Sequence, residues 1–427
     1  MEQNVHIGHR HVWGGEARLW LSRRSRRRHL YIVGQTATGK STLLRNLVAQ
    51  DIAAGVGCAL IDPHGDLALE VMDSVPGQRI DDVIVVDPSD IEHPVGFNPF
   101  YRVPPDERAL MAANLTAAFK HIWRDSWGPR LEYILFNTIA ALLDAPDALR
   151  PNFISIPLLL VERTYREAVI RHVRDPRVRS FFVGEFARWN NRQLEERLGS
   201  VQNKIGQFLA NPFVRNIFGQ WKPSVDLSDV LANNRILIVR LAKGLVGEDP
   251  ANLLGSFIAT GLQHAALRRA ALPEAERPDF HLHIDEFHNF TTDAFAGVLS
   301  EARKYGLTLT IAHQYLAQLS PEVANAVFGN VGSIISFRVS NADAERLAAE
   351  IGELHPRIFR DLEVGEICAR LLQGEQAAHT CQGRTTPEFA TRYGKAKTAR
   401  SQSRQRYGRP RATVESCIAR WLTQRSA

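Results

Sequence analysis

Short apolar runs rich in β-branched residues alternate with segments of helical periodicity along most of the chain. Eight such runs predict strands, at residues 29–33, 58–62, 82–87, 235–241, 281–285, 307–312, 332–339 and 366–372. Continuous apolar runs separated by helical patterns are typical of strands that are buried on both faces of a parallel sheet. The pattern therefore predicts an α/β fold with a mostly parallel central sheet.

The stretch between the third and fourth predicted strands has a different pattern. From Pro104 to about Leu231 there is little strand signal, and apolar residues instead repeat at helical spacing, as in 110–123 and 131–142. We interpret this stretch as an inserted all-helical domain. The predicted division is then 1–103 and 232–386 for the two parts of the sheet domain, 104–231 for the insert, and 387–427 for a basic C-terminal tail and helix.

The first predicted strand leads into GQTATGKST, residues 34–42, which is followed by a helical segment. This is the phosphate-binding pattern GxxxxGK[ST] in its required strand, loop and helix context. In such a loop the two glycines let the backbone fold around a pyrophosphate, the lysine reaches the outer phosphates and the following hydroxyl holds Mg²⁺. The predicted nucleotide-binding residues are Gly34, Gln35, Thr36, Ala37, Thr38, Gly39, Lys40, Ser41 and Thr42.

Two adjacent acids end the strand at 281–285. We expect Asp285 to hold Mg²⁺ through water, together with Ser41, and Glu286 to orient or deprotonate the attacking water. The acidic pair favours hydrolysis of ATP over binding alone. A transition-metal site made by His281, His283 and His288 is the alternative interpretation of this segment.

The segment SEARKYGLTLTIAHQ, residues 300–314, brings two further polar groups to the next strand. Gln314 follows that strand, at the sheet edge where phosphates bind, so we predict that it senses the γ-phosphate. Arg303 precedes the same strand and is expected at the opposite edge, out of reach of its own nucleotide. It fits an arginine finger that acts on a neighbouring subunit in a ring, whereas the alternative is a solvated arginine at a helix end.

Charge is distributed unevenly along the 427 residues. The net charge is +6, but 392–411 carries eight basic and no acidic residues and 23–28 carries five arginines, so +6 less +13 leaves −7 for the rest. Two cationic segments on an acidic body indicate contacts with a polyanion such as DNA, with a solvated tail as the alternative for the C-terminal run. The predicted DNA contacts are Arg400, Arg404, Arg406, Arg409 and Arg411.

Localisation follows from what the sequence does not contain. No apolar run approaches transmembrane length, no charged and then apolar leader opens the chain, and the four cysteines form no CxxC pair. We expect a cytoplasmic protein in a reducing compartment.

The order of these motifs resembles the HerA/FtsK superfamily, and within it the conjugation-associated TraG/TraD-type ATPases that are similar to type IV secretion coupling proteins. The resemblance covers about Arg28 to Pro387. Besides the phosphate loop, it is carried by the segments at 59–67 (ALIDPHGDL), 95–100 (VGFNPF), 127–135 (WGPRLEYIL), 239–249 (VRLAKGLVGED), 283–290 (HIDEFHNF), 300–319 and 328–339 (FGNVGSIISFRV).

The resemblance implies a RecA-like fold, a homo-hexameric ring and a motor that pumps DNA by hydrolysing ATP with Mg²⁺. It also implies that Arg303 is the trans-acting finger, and that a relaxase or type IV secretion components are partners. One departure concerns Ala37, because related loops usually have glycine there. The motif does not fix the residue at that position, and we expect the alanine to stiffen the loop and to reduce activity without abolishing it.

Four polar residues outside these motifs have open roles. Asp62, His64 and Asp66 surround the turn after the second strand, where Asp66 either caps the next helix or the group serves a nucleotide edge or subunit interface. Arg130 begins a helix of the insert and is a candidate for an interface or DNA contact.

Several functions compete with the conjugative DNA motor. One is a module that docks a relaxase or secretion partner under nucleotide control without processive movement, and another is a HerA-like translocase for repair or defence. A phosphate-loop kinase of small molecules is disfavoured by the long helical insert and the basic tail. The acidic pair, Gln314 and Arg303 favour the motor, because a switch does not need every hydrolytic group.

Overall fold

The computed structural model describes residues 4–291, 295–352, 354–373, 378–387 and 390–426. The chain divides into two compact units. The sheet unit comprises Met1–Val86, Leu227–Leu241 and Ile258–Ser403, and the helical unit comprises Asp87–Asp226, Ala242–Phe257 and Arg404–Ala427. The helical unit starts at Asp87 and includes the C-terminal helix. The four-part domain division expected from the sequence stays a proposal.

One sheet of eleven strands forms the centre of the sheet unit. Its strands are β1 (Val5–Val12), β2 (Gly15–Leu21), β3 (Leu30–Val33), β4 (Gly57–Asp62), β5 (Val83–Val86), β6 (Ile236–Arg240), β7 (Phe280–Ile284), β8 (Leu307–His313), β9 (Ser333–Ser336), β10 (Glu366–Leu371) and β11 (His379–Thr385). Their order is β2-β1-β11-β10-β9-β3-β8-β7-β4-β6-β5. All eight predicted strands are present, and the predicted fold class is confirmed.

The seven strands from β9 to β5 in this order are parallel, and the other four are antiparallel. The parallel strands β3, β4, β5 and β7 are buried at every position, which explains their continuous apolar sequences. Strands β1, β2 and β11 were not expected from the sequence. Their residues, such as HTCQGRT in β11, are largely polar because these strands are only partly buried.

Nineteen α-helices occur among the described residues. Ten of them lie wholly or partly in the sheet unit: α1 (Arg23–Arg26), α2 (Lys40–Ala53), α3 (Asp66–Asp73), α11 (Leu227–Ala232), α13 (Glu248–Leu267), α14 (Phe295–Glu301), α15 (Pro321–Asn330), α16 (Asn341–Ile351), α17 (Arg357–Arg360) and α18 (Ala396–Tyr407). The helical unit holds α4 (Arg108–Ile122), α5 (Pro129–Asp144), α6 (Ser155–Val161), α7 (Arg163–Ile170), α8 (Pro176–Ser180), α9 (Asn191–Ala210), α10 (Pro212–Phe218), α12 (Lys243–Val246) and α19 (Arg411–Ser426). No helix in the described part of the chain has the length and apolarity needed to cross a membrane.

Each unit has its own apolar core. In the sheet unit, side chains of α2 and α3 such as Leu44 and Val71 pack with strand residues such as Leu60 and Ile335. In the helical unit, the core contains an aromatic cluster in which ring centroids lie 4.7 to 6.4 Å apart, made by Phe119, Phe153, Phe208, Phe218 and Phe257. Rings at these separations add to the stability that burial provides.

Three of the five arginines in the segment at 23–28 form ion pairs within the sheet unit. Arg26 is buried and forms a bidentate ion pair with Asp51, in which Nη2 donates to Oδ2 over 2.8 Å. Arg23 and Arg27 both donate to the buried carboxylate of Asp279, over 2.6 and 2.9 Å. These three arginines therefore neutralise acids of their own unit, and contact of the segment with a polyanion stays a prediction.

Candidate functional site

The phosphate loop connects β3 to α2, and both of its glycines are required by the geometry. A Cβ on Gly34 would lie 2.6 Å from the Cβ of Phe337, and Gly39 has a φ of +117° at the start of α2. Lys40 is buried and its Nζ donates to the carbonyl oxygens of Gly34, at 2.5 Å, and Gln35, at 2.9 Å. The loop is closed further by Thr38, whose hydroxyl donates to the carbonyl of Gln35 over 2.7 Å.

Ala37 occupies a conformation that the sequence did not indicate. Its φ of +61° lies in the left-handed region, although the motif leaves the residue type at this position open. An L-residue other than glycine pays roughly 1–2 kcal/mol there because its Cβ approaches its own carbonyl oxygen. The glycine that related loops carry at this position therefore has a conformational reason, and the alanine stores strain in the loop.

The acidic pair lies where β7 ends, next to the phosphate loop. Asp285 and Glu286 are both buried, and the amide of Asp285 continues the parallel ladder by donating to the carbonyl of Ile61 over 3.1 Å. Burial, with the nearby charges of Glu286 and Asp62, raises the pKa of Asp285 to about 7, although Lys40 acts in the opposite direction. Burial lowers the pKa of Lys40, and the two acids partly offset this.

This donor set fits a Mg²⁺ ion and a nucleotide phosphate. Asp285 is buried beside the carboxylates of Glu286 and Asp62. Burial first, and then these two charges, raise the pKa of Asp285, whereas Lys40 acts to lower it. A divalent cation would compensate the charge, and carboxylate and hydroxyl oxygens are its preferred ligands. The loop amides at the start of α2 and Lys40 supply the complementary site for an anion.

Glu286 lies between two polar side chains, and Oε1 of its carboxylate accepts a hydrogen bond, whereas Oε2 has no hydrogen-bond partner among the described residues. Gln314, which follows β8, donates from Nε2 to Glu286 Oε1 over 3.0 Å, and Nδ1 of His288 lies 3.4 Å from Oε2. His288 is linked in turn to Gln318, whose Nε2 lies 3.2 Å from His288 Nε2. We call the set Glu286, His288, Gln314 and Gln318 the glutamate network.

From the sequence we expected Gln314 beside the phosphates. Its hydrogen bond to Glu286 and the contacts of His288 and Gln318 were not predicted. The spacing of two residues between Glu286 and His288 was the available signal, and it was read as part of a metal site. His283 instead lies with its Nε2 2.8 Å from Asp51 Oδ2, and His281 is 3.9 Å from the same carboxylate. Among the described residues, no group of three or more His, Cys, Asp or Glu is arranged to hold a metal ion.

The turn after β4 is organised by Asp62 and not by Asp66. The buried carboxylate of Asp62 accepts from the amides of His64 and Ala68, each over 2.9 Å. Gly65 occupies the capping position of α3, and Asp66 is its first residue, with an exposed side chain. The cap interpretation of Asp66 is therefore wrong, whereas His64 and Asp66 remain available at the surface for the proposed interface role.

Arg303 lies at the sheet edge opposite to the phosphate loop. It belongs to a short turn, Ala302–Tyr305, that precedes β8, and β8 runs parallel to β3 with Leu30 opposite Thr310 and Val33 opposite His313. The start of β8 is therefore far along the strands from the end of β3. Arg303 is exposed and forms no ion pair with any described residue, so its guanidinium is accessible.

Some of the arginines that were predicted to contact DNA or an interface already form ion pairs within the protein. Arg130 is exposed near the start of α5, 3.3 Å from Glu196. Arg404 donates to Asp90 over 2.7 Å, and Arg411 lies 2.8 Å from Glu415 and 3.4 Å from Glu92. Arg400 and Arg406 lie on α18, and Arg409 is half-buried before α19. Of the predicted tail, residues 388, 389 and 427 lie outside the described part.

A further cationic surface was missed by the sequence interpretation. Residues 163–192 contain eight arginines and three acids. Four of these arginines line a cavity of about 600 Å³ in the helical unit beside Phe182, Phe186 and Trp189: Arg163, Arg166, Arg171 and Arg179. The acids are interspersed singly, so no run of like charge marks this surface in the sequence.

Comparisons with known proteins agree with this geometry. Residues 279–358, which include β7, β8 and the glutamate network, match the family model described as the TraM recognition site of TraD and TraG. No curated protein sequence matches the chain.

Similar solved structures include two of TrwB. The unbound bacterial conjugative coupling protein TrwB lacking its first 70 residues has a TM-score of 0.63 at 17% identity, covering 93% of this chain and 92% of that chain. TrwB in complex with ADP and Mg²⁺ has a TM-score of 0.62 at 17% identity, with coverage of 88% and 89%. VirB4 of Thermoanaerobacter pseudethanolicus has a TM-score of 0.54 at 15% identity, with coverage of 92% and 98%. The matched segment confirms the resemblance of residues 279–358 to TraD and TraG, and the structural matches show that the chain shares the fold of TrwB and VirB4.

Proposed function

We propose that the protein is an ATP- and Mg²⁺-dependent DNA translocase of the conjugative coupling type, stimulated by DNA and acting as a homo-hexameric ring. The observation that carries the proposal is the meeting of Lys40, Asp285, Glu286 and Gln314 at the carboxyl edge of one parallel sheet, with Gln314 bonded to Glu286. Solved complexes of TrwB with ADP and Mg²⁺ and with ATP and GTP analogues support the choice of ligand.

Each group has a defined part in hydrolysis. The loop amides and Lys40 bind the β- and γ-phosphates, and Ser41 and Asp285 would hold Mg²⁺, which neutralises the charge that develops on the phosphate oxygens. Glu286 accepts a proton from the attacking water while the water oxygen bonds to the γ-phosphorus and the bond to the β–γ bridging oxygen breaks.

The glutamate network gives this chemistry a point of control. Gln314 holds Oε1 of Glu286 by a hydrogen bond, and Nδ1 of His288 lies 3.4 Å from Oε2. Gln314 is the predicted γ-phosphate sensor, so its turn toward the phosphate would release Glu286. The same amide group thus links recognition of ATP to activation of the water.

Two substitutions test the enzyme assignment. Lys40→Ala should weaken nucleotide binding, whereas Glu286→Gln should bind ATP normally and lose roughly two to four orders of magnitude in turnover, the usual contribution of a positioned general base. Glu301→Gln, an exposed site in the same unit, is the matched control and should keep wild-type turnover. Turnover of Glu286→Gln at the wild-type level would remove Glu286 as the water activator.

A second function is favoured by one observation. The matched family model describes a recognition site for TraM, and it spans the hydrolytic residues as well as Arg303. A module that docks a relaxase or other relaxosome partner in one nucleotide state would also use this segment. ATP hydrolysis that rises several-fold with DNA alone favours the motor, whereas hydrolysis that responds only to a protein partner favours the docking module.

A further inference from the structure

A cavity of about 450 Å³ lies within the helical unit, away from every residue of the nucleotide site. One wall is α19, another is the segment 219–222 that follows α10, and a third is the turn around Arg150 and Asn152. The volume is in the range of pockets that hold small organic ligands.

Most of the lining is apolar. Val414, Ile418 and Trp421 project from α19, each at most 7% exposed, and Trp221 lies opposite on the segment after α10. Gly219 permits the close approach of α19, because a Cβ there would lie 2.8 Å from Cδ1 of Ile418. The helix is also fixed by Asn216, whose Nδ2 donates to Glu415 over 3.3 Å. These walls favour an apolar body of acyl or aryl type.

The charged part of the lining is entirely cationic. Arg150, Lys222 and Arg409 line the cavity, and no acid does. None of the three forms an ion pair with a described residue, in contrast to Arg404 and Arg411 nearby in sequence. Cations that converge without a counter-charge favour an acidic group on the ligand, since a charge-assisted hydrogen bond is about twice as strong as a neutral one.

We propose that this cavity binds an amphipathic organic anion, with the apolar body between Trp221 and Trp421 and the acidic head on Arg150, Lys222 and Arg409. The walls do not suit a nucleotide, because the cavity has no loop of backbone amides for a triphosphate. The inference goes beyond the proposed function and does not depend on it. It gives the helical unit a ligand site whose wall is the C-terminal helix.

Two probes test the site in the full chain. The aromatic sulfonate 8-anilinonaphthalene-1-sulfonate should bind with increased fluorescence, and dodecanoate should displace it. Arg150→Ala with Arg409→Ala should weaken binding of the probe by about tenfold or more, because the acidic head loses two charge-assisted hydrogen bonds. Arg124→Ala with Arg188→Ala, two exposed arginines of the same unit outside the cavity, is the matched control and should leave affinity unchanged.

Cys417 provides a second, independent measurement. It is the exposed cysteine in the cavity wall, whereas Cys58, Cys368 and Cys381 are buried. Saturating dodecanoate should slow its alkylation by N-ethylmaleimide several-fold, and Cys417→Trp, which fills the cavity, should abolish binding of the fluorescent probe while the melting temperature stays close to that of the wild type.

Three results would overturn the proposal. These are equal affinity of the probe for wild type and the Arg150/Arg409 variant, alkylation of Cys417 that dodecanoate does not slow, and displacement of the probe by an oligonucleotide or ATP but not by dodecanoate.

Discussion

Glu286 shows at the scale of single residues how the fold adds control to a motif. Its backbone has a φ of +46°, in the left-handed region, and its carboxylate is held by Gln314 at 3.0 Å. A non-glycine residue in this region is unusual and is found in functional sites where the surrounding structure maintains it. The strain at Glu286, like that at Ala37, lies beside the predicted phosphate position.

Four buried histidines make the stability of the sheet unit dependent on pH. Burial lowers the pKa of His29 to about 4 and those of His281 and His313 to about 3, and it also lowers the pKa of His283. The unfolded chain therefore binds more protons than the folded chain below about pH 6.5. Their contribution to stability is complete above that pH and is lost as the pH falls. The raised pKa of Asp285 has the opposite effect on stability. Between the ordinary pKa of Asp285 and about pH 7 the folded chain binds more protons at this group, which offsets the effect of about one histidine.

We expect the free energy of unfolding to fall as the pH is lowered from 7 to 5, by at most about 1.4 kcal/mol per pH unit for each net proton. His281→Phe should make the urea midpoint less dependent on pH, because it removes one group that must stay neutral. His172→Phe, at an exposed position of the helical unit, is the control. Equal pH dependence in the two variants would show that burial of His281 has no such effect.

At the scale of elements, the C-terminal helix has a structural role that its basic sequence does not indicate. Val414, Ile418 and Trp421 of α19 are buried, so deletion of 392–427 would expose an apolar face of the helical unit. A loss of DNA binding in such a deletion would not separate unfolding from lost charge. Substitution of exposed cations is the sharper test.

We expect Lys397→Gln to weaken DNA binding and to lower the slope of log K against log salt by about one, since each lost phosphate contact removes roughly 0.7–0.9. Lys397 is exposed on α18. Arg404→Gln with Arg411→Gln removes arginines already paired with Asp90, Glu92 and Glu415, and should change the slope less. An unchanged slope in the first variant would assign the segment to a protein partner, and the arginine-lined cavity around Arg166 would become the next candidate for DNA.

At the scale of the whole molecule, the role proposed for Arg303 requires a neighbouring subunit. It is exposed at the edge of the sheet opposite to the phosphate loop, which fits a finger that completes the site of an adjacent subunit. Arg303→Ala should bind ATP nearly normally and lose DNA-stimulated hydrolysis, by about a thousandfold in comparable systems.

Mixing the Arg303→Ala and Lys40→Ala proteins tests whether the finger acts in trans. Some interfaces in the mixed ring pair an intact loop with an intact finger, so part of the single-turnover hydrolysis should return. Neither variant alone has such an interface. If mixed rings form and hydrolysis stays at the level of the inactive parents, Arg303 acts within its own subunit or only supports structure.

Local patterns determined the eight apolar strands, the phosphate loop and the acidic pair. The reason is that each of these is specified by neighbours in the sequence: a run of apolar residues, a fixed spacing of glycines, or two acids at a strand end. Even Gln314 was found, because a residue after a parallel strand must lie at the carboxyl edge of the sheet.

Only the tertiary structure decided which polar groups meet. Arg26 and Asp51, Asp62 and the amide of Ala68, and Glu286 and Gln314 are paired across 25, 6 and 28 residues, and no local pattern states such a partner. The same holds for the left-handed backbone of Ala37, which follows from how the loop closes on the sheet, and for the cavity, which combines residues from 150–152, 219–222 and 409–421. Side-chain pairing and cavity shape depend on the three-dimensional packing of distant segments, whereas strand and loop motifs depend on residues that are already adjacent.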